Sequence, residues 1–329
     1  MNDRSLSIAV LGATGAVGGE ILRALEASEM NVGRLLPVAS VSTQINEVEF
    51  SGEMQSVRFP DDPELANADL AFCALPLKSA AEVTAPLIEA GVRVVDLSGA
   101  YAAEAPPSAV GLEVSSLELA HNVVSSPGAV GLALAHIGSA VGSLGELVSM
   151  RATVLSPTSI AGRLGMEELS GQVVALFNSQ EPPRVAFPEG MAFDLLPSWG
   201  TSDDEGWSTA ERLGGFQATE LLGLDAAAVA LTICVVPTFA GLSFSVACRV
   251  EGGGAADLIE VLAQRPLFEV ARRSVELQPM GRLGSSKITI GRVRDDPDGD
   301  GIHLWACCDP LRLSAASAVS LAQYWLEVS

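Results

Sequence analysis

Positive charge is scarce in this chain: 19 Lys and Arg stand against 40 Asp and Glu, a formal charge of −21 at pH 7. That balance excludes nucleic acid and anionic membrane as partners, because both demand a basic face. A strongly anionic substrate would need a local basic pocket. Histidine is scarcer, at three residues, and none has a second histidine at the spacing of helical ligands, so no metal site is expected. The five cysteines, at 73, 234, 248, 307 and 308, are odd in number, lie in apolar stretches and form no CxxC pair. Neither a disulfide framework nor a zinc site follows from them, and buried core thiols are expected. No apolar run reaches the roughly 18 residues that cross a bilayer. The residues Met1-Asn2-Asp3-Arg4-Ser5 lead directly into a strand without a signal-peptide pattern, so a cytoplasmic location is expected.

What is present is core material and a glycine-spaced turn. A chain of 329 residues with 48% hydrophobic content fills about two domains. It opens with the apolar strand Leu6–Leu11, the turn Gly12-Ala13-Thr14-Gly15-Ala16-Val17-Gly18, and a helix from Gly18 to Glu29. A strand, a tight turn and a helix start in that order build a phosphate cradle: glycines admit the ligand to the backbone, and free N–H groups face the anion. The spacing GxxGxxG differs by one residue from the dinucleotide fingerprint GxGxxG. Gly12 would serve the turn and Gly15 the close approach of a pyrophosphate, with Thr14, Ala16 and Val17 completing the cradle. The alternative is a glycine-rich turn that binds nothing.

Strands and helices alternate over the first 125 residues. Strands are expected at Leu6–Leu11, Arg34–Ser40, Leu70–Ala74, Val92–Leu97 and Asn122–Ser126, and helices at Gly18–Glu29 and Ser79–Ala90. Continuous apolar strands with amphipathic helices between them predict a parallel sheet covered on both faces. Ala39-Ser40-Val41-Ser42-Thr43 follows the second strand, where such folds meet the ribose or its phosphate, which makes Ser40 a candidate contact. After an Ala/Gly/Leu-rich helix at Ala129–Ala140, longer β-branched strands at Glu146–Ser156, Ala227–Val236, Leu242–Val250 and Ile302–Cys308 predict an antiparallel or mixed sheet. A polar, proline-bearing excursion, Asn178–Glu211, reads as a cap over a site or an interface. The final helix, Leu311–Val328, carries apolar residues at 315, 318, 319, 321, 322, 325 and 326 and is expected to cover the first sheet.

The order of these segments resembles the aspartate-semialdehyde dehydrogenase family, including its USG-1-like branch. The resemblance spans nearly the whole chain. It rests on Gly12–Gly18, Val94-Val95-Asp96-Leu97-Ser98-Gly99-Ala100, Ser125-Ser126-Pro127, and Gly162 with Met166-Glu167-Glu168-Leu169. It continues through Ala192-Phe193-Asp194-Leu195-Leu196-Pro197, Gly206-Trp207-Ser208, Val236-Pro237 with Gly241-Leu242-Ser243, Gly291-Arg292-Val293-Arg294 and Leu304-Trp305. It implies an α/β fold in two parts. Residues 1–128 with 310–329 would form a Rossmann-like NAD(P)-binding domain, and 129–309 an α+β domain that builds a homodimer and carries catalysis.

By the same resemblance, family chemistry reduces an acyl phosphate to an aldehyde through a thioester. It uses a cysteine nucleophile, a histidine acid/base, a glutamine, and arginines for carboxylate and phosphate. In this chain the cysteine position falls at Gly128, with Pro127 or Ala129 after a one-residue slip. The glutamine falls at Pro157, the histidine at Leu242, and two arginines at Ala102 and Val235. An acidic position falls at Gln217 and a lysine at Glu220, while Glu113 matches a further acidic position. None of the replacements at the nucleophile, base, glutamine or arginine positions supplies the lost group. Candidate substitutes are few: Cys307 and Cys308 have apolar flanks, and His121 and His136 are better suited to capping or to a helix surface. The window from Ala39 to Glu47 holds no Arg or Lys, so NAD is favoured over NADP.

A catalytically impaired member that keeps the fold, the dimer and a nucleotide cleft is the first expectation. The alternatives are an active NAD(P)-dependent oxidoreductase on an aldehyde or acyl substrate in amino-acid biosynthesis, and a regulatory subunit that forms a heterodimer with an active paralogue.

Overall fold

A computed structural model describes residues 5–41, 43–112 and 122–328. The chain divides into two compact units, one of residues 1–132 with 314–329 and the other of residues 133–313.

The first unit is built on strand–helix alternation. Strand β1 (Leu6–Leu11) is followed by α1 (Ala16–Glu26), β2 (Val32–Val38), the short hairpin β3 (Glu47–Phe50) and β4 (Glu53–Ser56), β5 (Leu70–Cys73), α2 (Leu77–Glu89), β6 (Arg93–Asp96) and β7 (Val123–Ser125). Five strands form one parallel sheet in the order β2-β1-β5-β6-β7. The strands are buried through their central and carboxyl-terminal pairs, as at Leu70–Cys73, because both faces are covered there. On one face Ile8, Val10 and Phe72 pack with Ile21, Leu22 and Leu25 of α1. On the other, Ala9, Leu11 and Leu36 pack with Ala80 and Leu87 of α2.

The chain leaves this unit through α3 (Ala129–Gly142) and returns through α7 (Pro310–Val328). As expected, Ala315, Ala318, Val319, Leu321, Ala322 and Trp325 of α7 join the core against β1 and β5, with Leu326 partly buried beside them.

The second unit is a six-stranded mixed sheet. In chain order it comprises β8 (Glu146–Ser156), α4 (Gly162–Phe177), α5 (Thr209–Leu222), β9 (Val229–Val235), β10 (Leu242–Glu251), α6 (Ala255–Gln264), β11 (Phe268–Val270), β12 (Ile288–Asp295) and β13 (Gly301–Cys308). The strand order is β11-β12-β13-β10-β8-β9. One face carries Val154, Ile233, Val246, Phe244 and Leu304, all buried. The other face is more open and lines up short side chains in register with three larger ones, Trp305, His303 and Arg151. One row runs Trp305, Ser245, Thr153, Thr232, and the next His303, Ala247, Arg151, Ala230.

Three expectations need correction. The excursion after α4 ends at Ser208, whose side chain caps α5 by accepting from the Glu211 N–H while Glu211 accepts from the Ser208 N–H. That reciprocal pair starts the helix, so Glu211 lies inside it. His136 is neither a cap nor a surface residue but is buried in α3, where the small neighbours Ala133, Ala135 and Ala140 let the helix embed on both sides. Cys234 is only half-buried, because it lies on the more open sheet face, whereas the other four cysteines are buried. Ser42, Glu113 and His121 lie outside the described residues.

Candidate functional site

The strand order of the first sheet fixes where a ligand belongs. The chain runs outward from β1 to β2 and then restarts on the other side of β1 at β5, so the connections after β1 and β5 diverge and leave a crevice at their carboxyl ends. The turn at Gly12 fills that position. Gly12 has φ +87° and a Cβ placed there would lie 2.7 Å from the Ala74 oxygen, so only glycine fits between β1 and the end of β5. A Cβ on Gly18 would fall 2.1 Å from the Gly12 oxygen, so the third glycine lets α1 pack onto the turn.

Gly15 precedes α1 in an extended conformation, φ −83° and ψ 168°, without a side-chain cap. The first helical bond runs from the Gly19 N–H to the Gly15 oxygen at 2.9 Å, leaving the N–H groups of Ala16, Val17 and Gly18 ahead of the ladder. Gly15 and Ala16 are exposed, and Thr14 and Val17 partly so. The turn is braced by the Gly12 and Ala13 N–H groups, which donate to the Val38 oxygen at 2.8 and 3.0 Å. Ser40, exposed and two residues beyond, flanks the same end of β2. These features fit a dinucleotide: an open helix N-terminus for the pyrophosphate and, beside it, the end of β2 for the ribose.

At the same edge, Asp96 ends β6 fully buried. Its carboxylate accepts from the N–H and hydroxyl of Ser98 and from the Tyr101 N–H, tightening the turn that holds Ala102. The Ser126 N–H donates to the Asp96 main-chain carbonyl oxygen at 2.8 Å, which leads the chain into Pro127 and the exposed Gly128. Ala129 is the first residue of α3. The thiol on this edge is Cys73, where burial pushes the pKa up to about 11, so it is not a thiolate at neutral pH.

The second unit gathers three of the positions that the resemblance assigns to chemistry. Ser156, which ends β8, pairs with Val235, which ends β9; Ser243 at the start of β10 pairs with Leu155; and Leu242 pairs with Cys308 of β13. Pro157, Val235 and Leu242 thus sit at one end of one sheet. The Thr158 N–H and hydroxyl both donate to the Thr238 oxygen, at 2.8 and 3.0 Å, tying the Pro157 turn to the turn before Leu242. Gly241 in that turn has φ +85°, and a Cβ on it would meet Pro279 at 2.7 Å. Val235 is fully buried and Leu242 nearly so.

The polar groups at this end include the hydroxyls of Ser156, Thr158, Thr238 and Ser243, the thiols of Cys307 and Cys308, and the Arg282 guanidinium, which pairs with Glu269 at 2.8 Å and whose charge acts on Cys307. Burial raises both thiols, Cys307 to about 11 and Cys308 further, so neither is a nucleophile at neutral pH. Asp309 is engaged in structure, accepting from the N–H groups of Gly284, Leu311 and Arg312. His136 stands elsewhere in the unit, in α3, and is held neutral: burial, and then the nearby Arg265 charge, lower its pKa to about 4. Gln217 is buried on α5, whereas Glu220 is exposed and lines a cavity of about 960 Å³ between α5 and the more open sheet face. No group of three or more His, Cys, Asp or Glu among the described residues is arranged to hold a metal ion. Nor is any helix among them long and apolar enough to cross a membrane.

Comparison with known proteins places both halves in one group. A family described as "Semialdehyde dehydrogenase, NAD binding domain" matches residues 7–136, and one described as "Semialdehyde dehydrogenase, dimerisation domain" matches residues 140–313. The chain is 31% identical to a USG-1 protein homolog of Azotobacter vinelandii, covering 98% of each. It is 26% identical to an aspartate-semialdehyde dehydrogenase of Rickettsia bellii, covering 97% of each. Its fold is similar to that of aspartate semialdehyde dehydrogenase II of Vibrio cholerae complexed with ASA, with a TM-score of 0.93 at 23% identity over 99% of each chain.

Proposed function

The chain belongs to the semialdehyde dehydrogenase family, and from that premise we propose that it is a catalytically impaired member that retains a dinucleotide cleft and a homodimer. The observation that carries this reading is the end of the second sheet, where Pro157, Val235 and Leu242 converge with no imidazole, carboxamide or guanidinium among them. Proline, valine and leucine side chains neither donate nor accept protons. Gly128 offers no nucleophile at the remaining position, and the slipped alternatives, Pro127 and Ala129, offer none either. Removing a cooperating catalytic set costs several orders of magnitude in rate, on the order of 10⁶ in a hydrolase triad.

What the first unit's residues do is bind. Gly12, Gly15 and Gly18 admit a pyrophosphate to the start of α1; the N–H groups of Ala16 and Val17, with the Thr14 side chain beside them, face it; and Ser40 flanks the ribose. A nicotinamide dinucleotide supplies a hydride donor or acceptor when bound, and this chain supplies position without a thiolate or an acid/base partner. NAD is the favoured form, since the residues that follow β2 are without a cation from Ala39 to Glu47. Titration of the protein with NAD tests the cleft. Saturable binding that Gly15→Val abolishes, with the fold intact by circular dichroism, is expected; no binding at millimolar NAD overturns it.

The more open face of β13, β10, β8 and β9 supports self-association. Its in-register rows set the small side chains of Ser245, Thr153, Thr232, Ala247 and Ala230 beside the larger Trp305, His303 and Arg151, a surface that a partner can cover, and α5 walls the groove beside them. A second copy offers the same face, the self-complementary arrangement of a two-fold dimer. A heterodimer with an active paralogue would use the same surface.

A further inference from the structure

The residues after β2 hold no cation, yet the fold brings one to them from further along the chain. Arg58 lies beside the last residues of β2: its N–H donates to the Pro37 oxygen at 2.8 Å, its oxygen accepts from the Ala39 N–H at 3.0 Å, and it bridges Val38 in parallel. Val38 is the residue whose oxygen receives the Gly12 and Ala13 N–H groups of the phosphate turn. One residue therefore links Arg58 to the cradle, and the arginine stands where a parallel α/β sheet meets the adenosine ribose.

Its guanidinium is already engaged. Nη1 lies 2.6 Å from Asp62 Oδ2 and 2.8 Å from Glu64 Oε2, and Glu64 is shared with Arg34. Asp62 is fixed in turn, because its other oxygen accepts from the Glu64 N–H at 2.9 Å. Two arginines and two carboxylates thus balance in charge along β2, with Arg34 near its start and Arg58 beside its end. A ribose 2′-phosphate arriving at Arg58 meets two carboxylates and a guanidinium whose Nη1 they already hold, whereas a ribose 2′-hydroxyl meets acceptors.

We propose that Asp62 and Glu64 determine the dinucleotide preference of this chain by holding Arg58 out of reach of a 2′-phosphate, so that NAD is taken and NADP is refused. This rests on the reading of the first unit as a dinucleotide cleft and adds which residues select the nucleotide. The pair acts on specificity from a segment distant in sequence from the phosphate turn, and its removal frees Arg58 for a bidentate contact with phosphate.

The test is calorimetric titration of wild type, Arg58→Ala and the double variant Asp62→Asn with Glu64→Gln. Asparagine at 62 keeps an oxygen for the Glu64 N–H, and circular dichroism checks each fold. Wild type is expected to bind NAD at least about tenfold more tightly than NADP, and the double variant to gain about ten- to a hundredfold for NADP with NAD little changed. Arg58→Ala added to the double variant removes the gain. Arg58→Ala alone leaves the weak NADP affinity of wild type unaltered. NAD binding with no NADP gain in the double variant overturns the inference alone, as does a loss of NADP affinity in the single Arg58→Ala variant. Failure of wild type to bind either nucleotide overturns the cleft reading and this inference with it.

Discussion

His136 shows what the second unit does with a titratable group. Buried in α3, with Arg265 nearby donating to the Ser139 hydroxyl and oxygen, the imidazole has a folded pKa of about 4 against an ordinary value of 6.5. Burial is the larger cause and the Arg265 charge the second, and both oppose a second positive charge. The linkage follows from the direction of the shift. Above pH 6.5 both folded and unfolded chains hold a neutral imidazole, and the shift leaves stability unchanged; between about 6.5 and 4 the unfolded chain takes up the proton first, and stability falls as pH falls. The shift amounts to about 2 kcal/mol lost between pH 7 and pH 5. Urea unfolding of His136→Gln should show a shallower decline over that interval than wild type, and an identical slope would contradict the burial argument. A buried neutral histidine of this kind is a packing residue.

At the scale of elements, the excursion after α4 is held by two polar side chains of that helix. The Glu168 carboxylate accepts from the Val185, Ala186 and Phe187 N–H groups, and from Gln172 Nε2, which also donates to the Pro183 oxygen; the Gln172 oxygen accepts from Met191 and Ala192. Glu168→Ala would strand three backbone donors and cost roughly 3 kcal/mol or more. Its hydrogen exchange should rise across residues 183–192 first, whereas exchange unchanged there would show that Phe187 and Met191 packing suffices. This network also explains what the sequence conceals. Strands β1 and β5 announce themselves as apolar runs because both their faces are covered, β8 and β10 as long stretches in which buried apolar residues alternate with polar ones, and α7 by its buried stripe. Helix α4 turns Glu168 and Gln172 inward, which breaks the apolar period that marks a helix. Strand β12 is broken by a bulge between Gly291 and Arg294, with Arg292 at φ +53°. The β3–β4 hairpin exposes Glu47, Glu49 and Glu53 and reads as polar loop. The candidate site divides in the same way. The Gly12 turn is legible because backbone geometry demands glycine at fixed spacing, but Arg58 is not, since main-chain pairing across a long connection brings it to β2.

For the molecule as a whole, charge and surface set opposing terms. A formal charge of −21 on each copy makes two copies repel, so self-association must come from a close-packed face and should strengthen with salt, which screens the repulsion. Ser245→Arg, which places a long side chain between Trp305 and Thr153 on the open face, is expected to shift the protein from dimer to monomer in analytical ultracentrifugation with the fold intact. A persistent dimer would move the interface elsewhere. Both units keep their cores and the first keeps its cradle, while the positions at which family chemistry requires a thiol, an imidazole, a carboxamide and an arginine hold glycine, leucine, proline and valine. On the proposed reading, a molecule so arranged binds and associates without turning over. Its turnover is measured most directly by supplying the purified protein with aspartate semialdehyde, phosphate and NAD or NADP and following nicotinamide absorbance. Turnover at least about 10⁴-fold below that of a family enzyme assayed alongside is the predicted result, and turnover comparable to that enzyme would contradict the account.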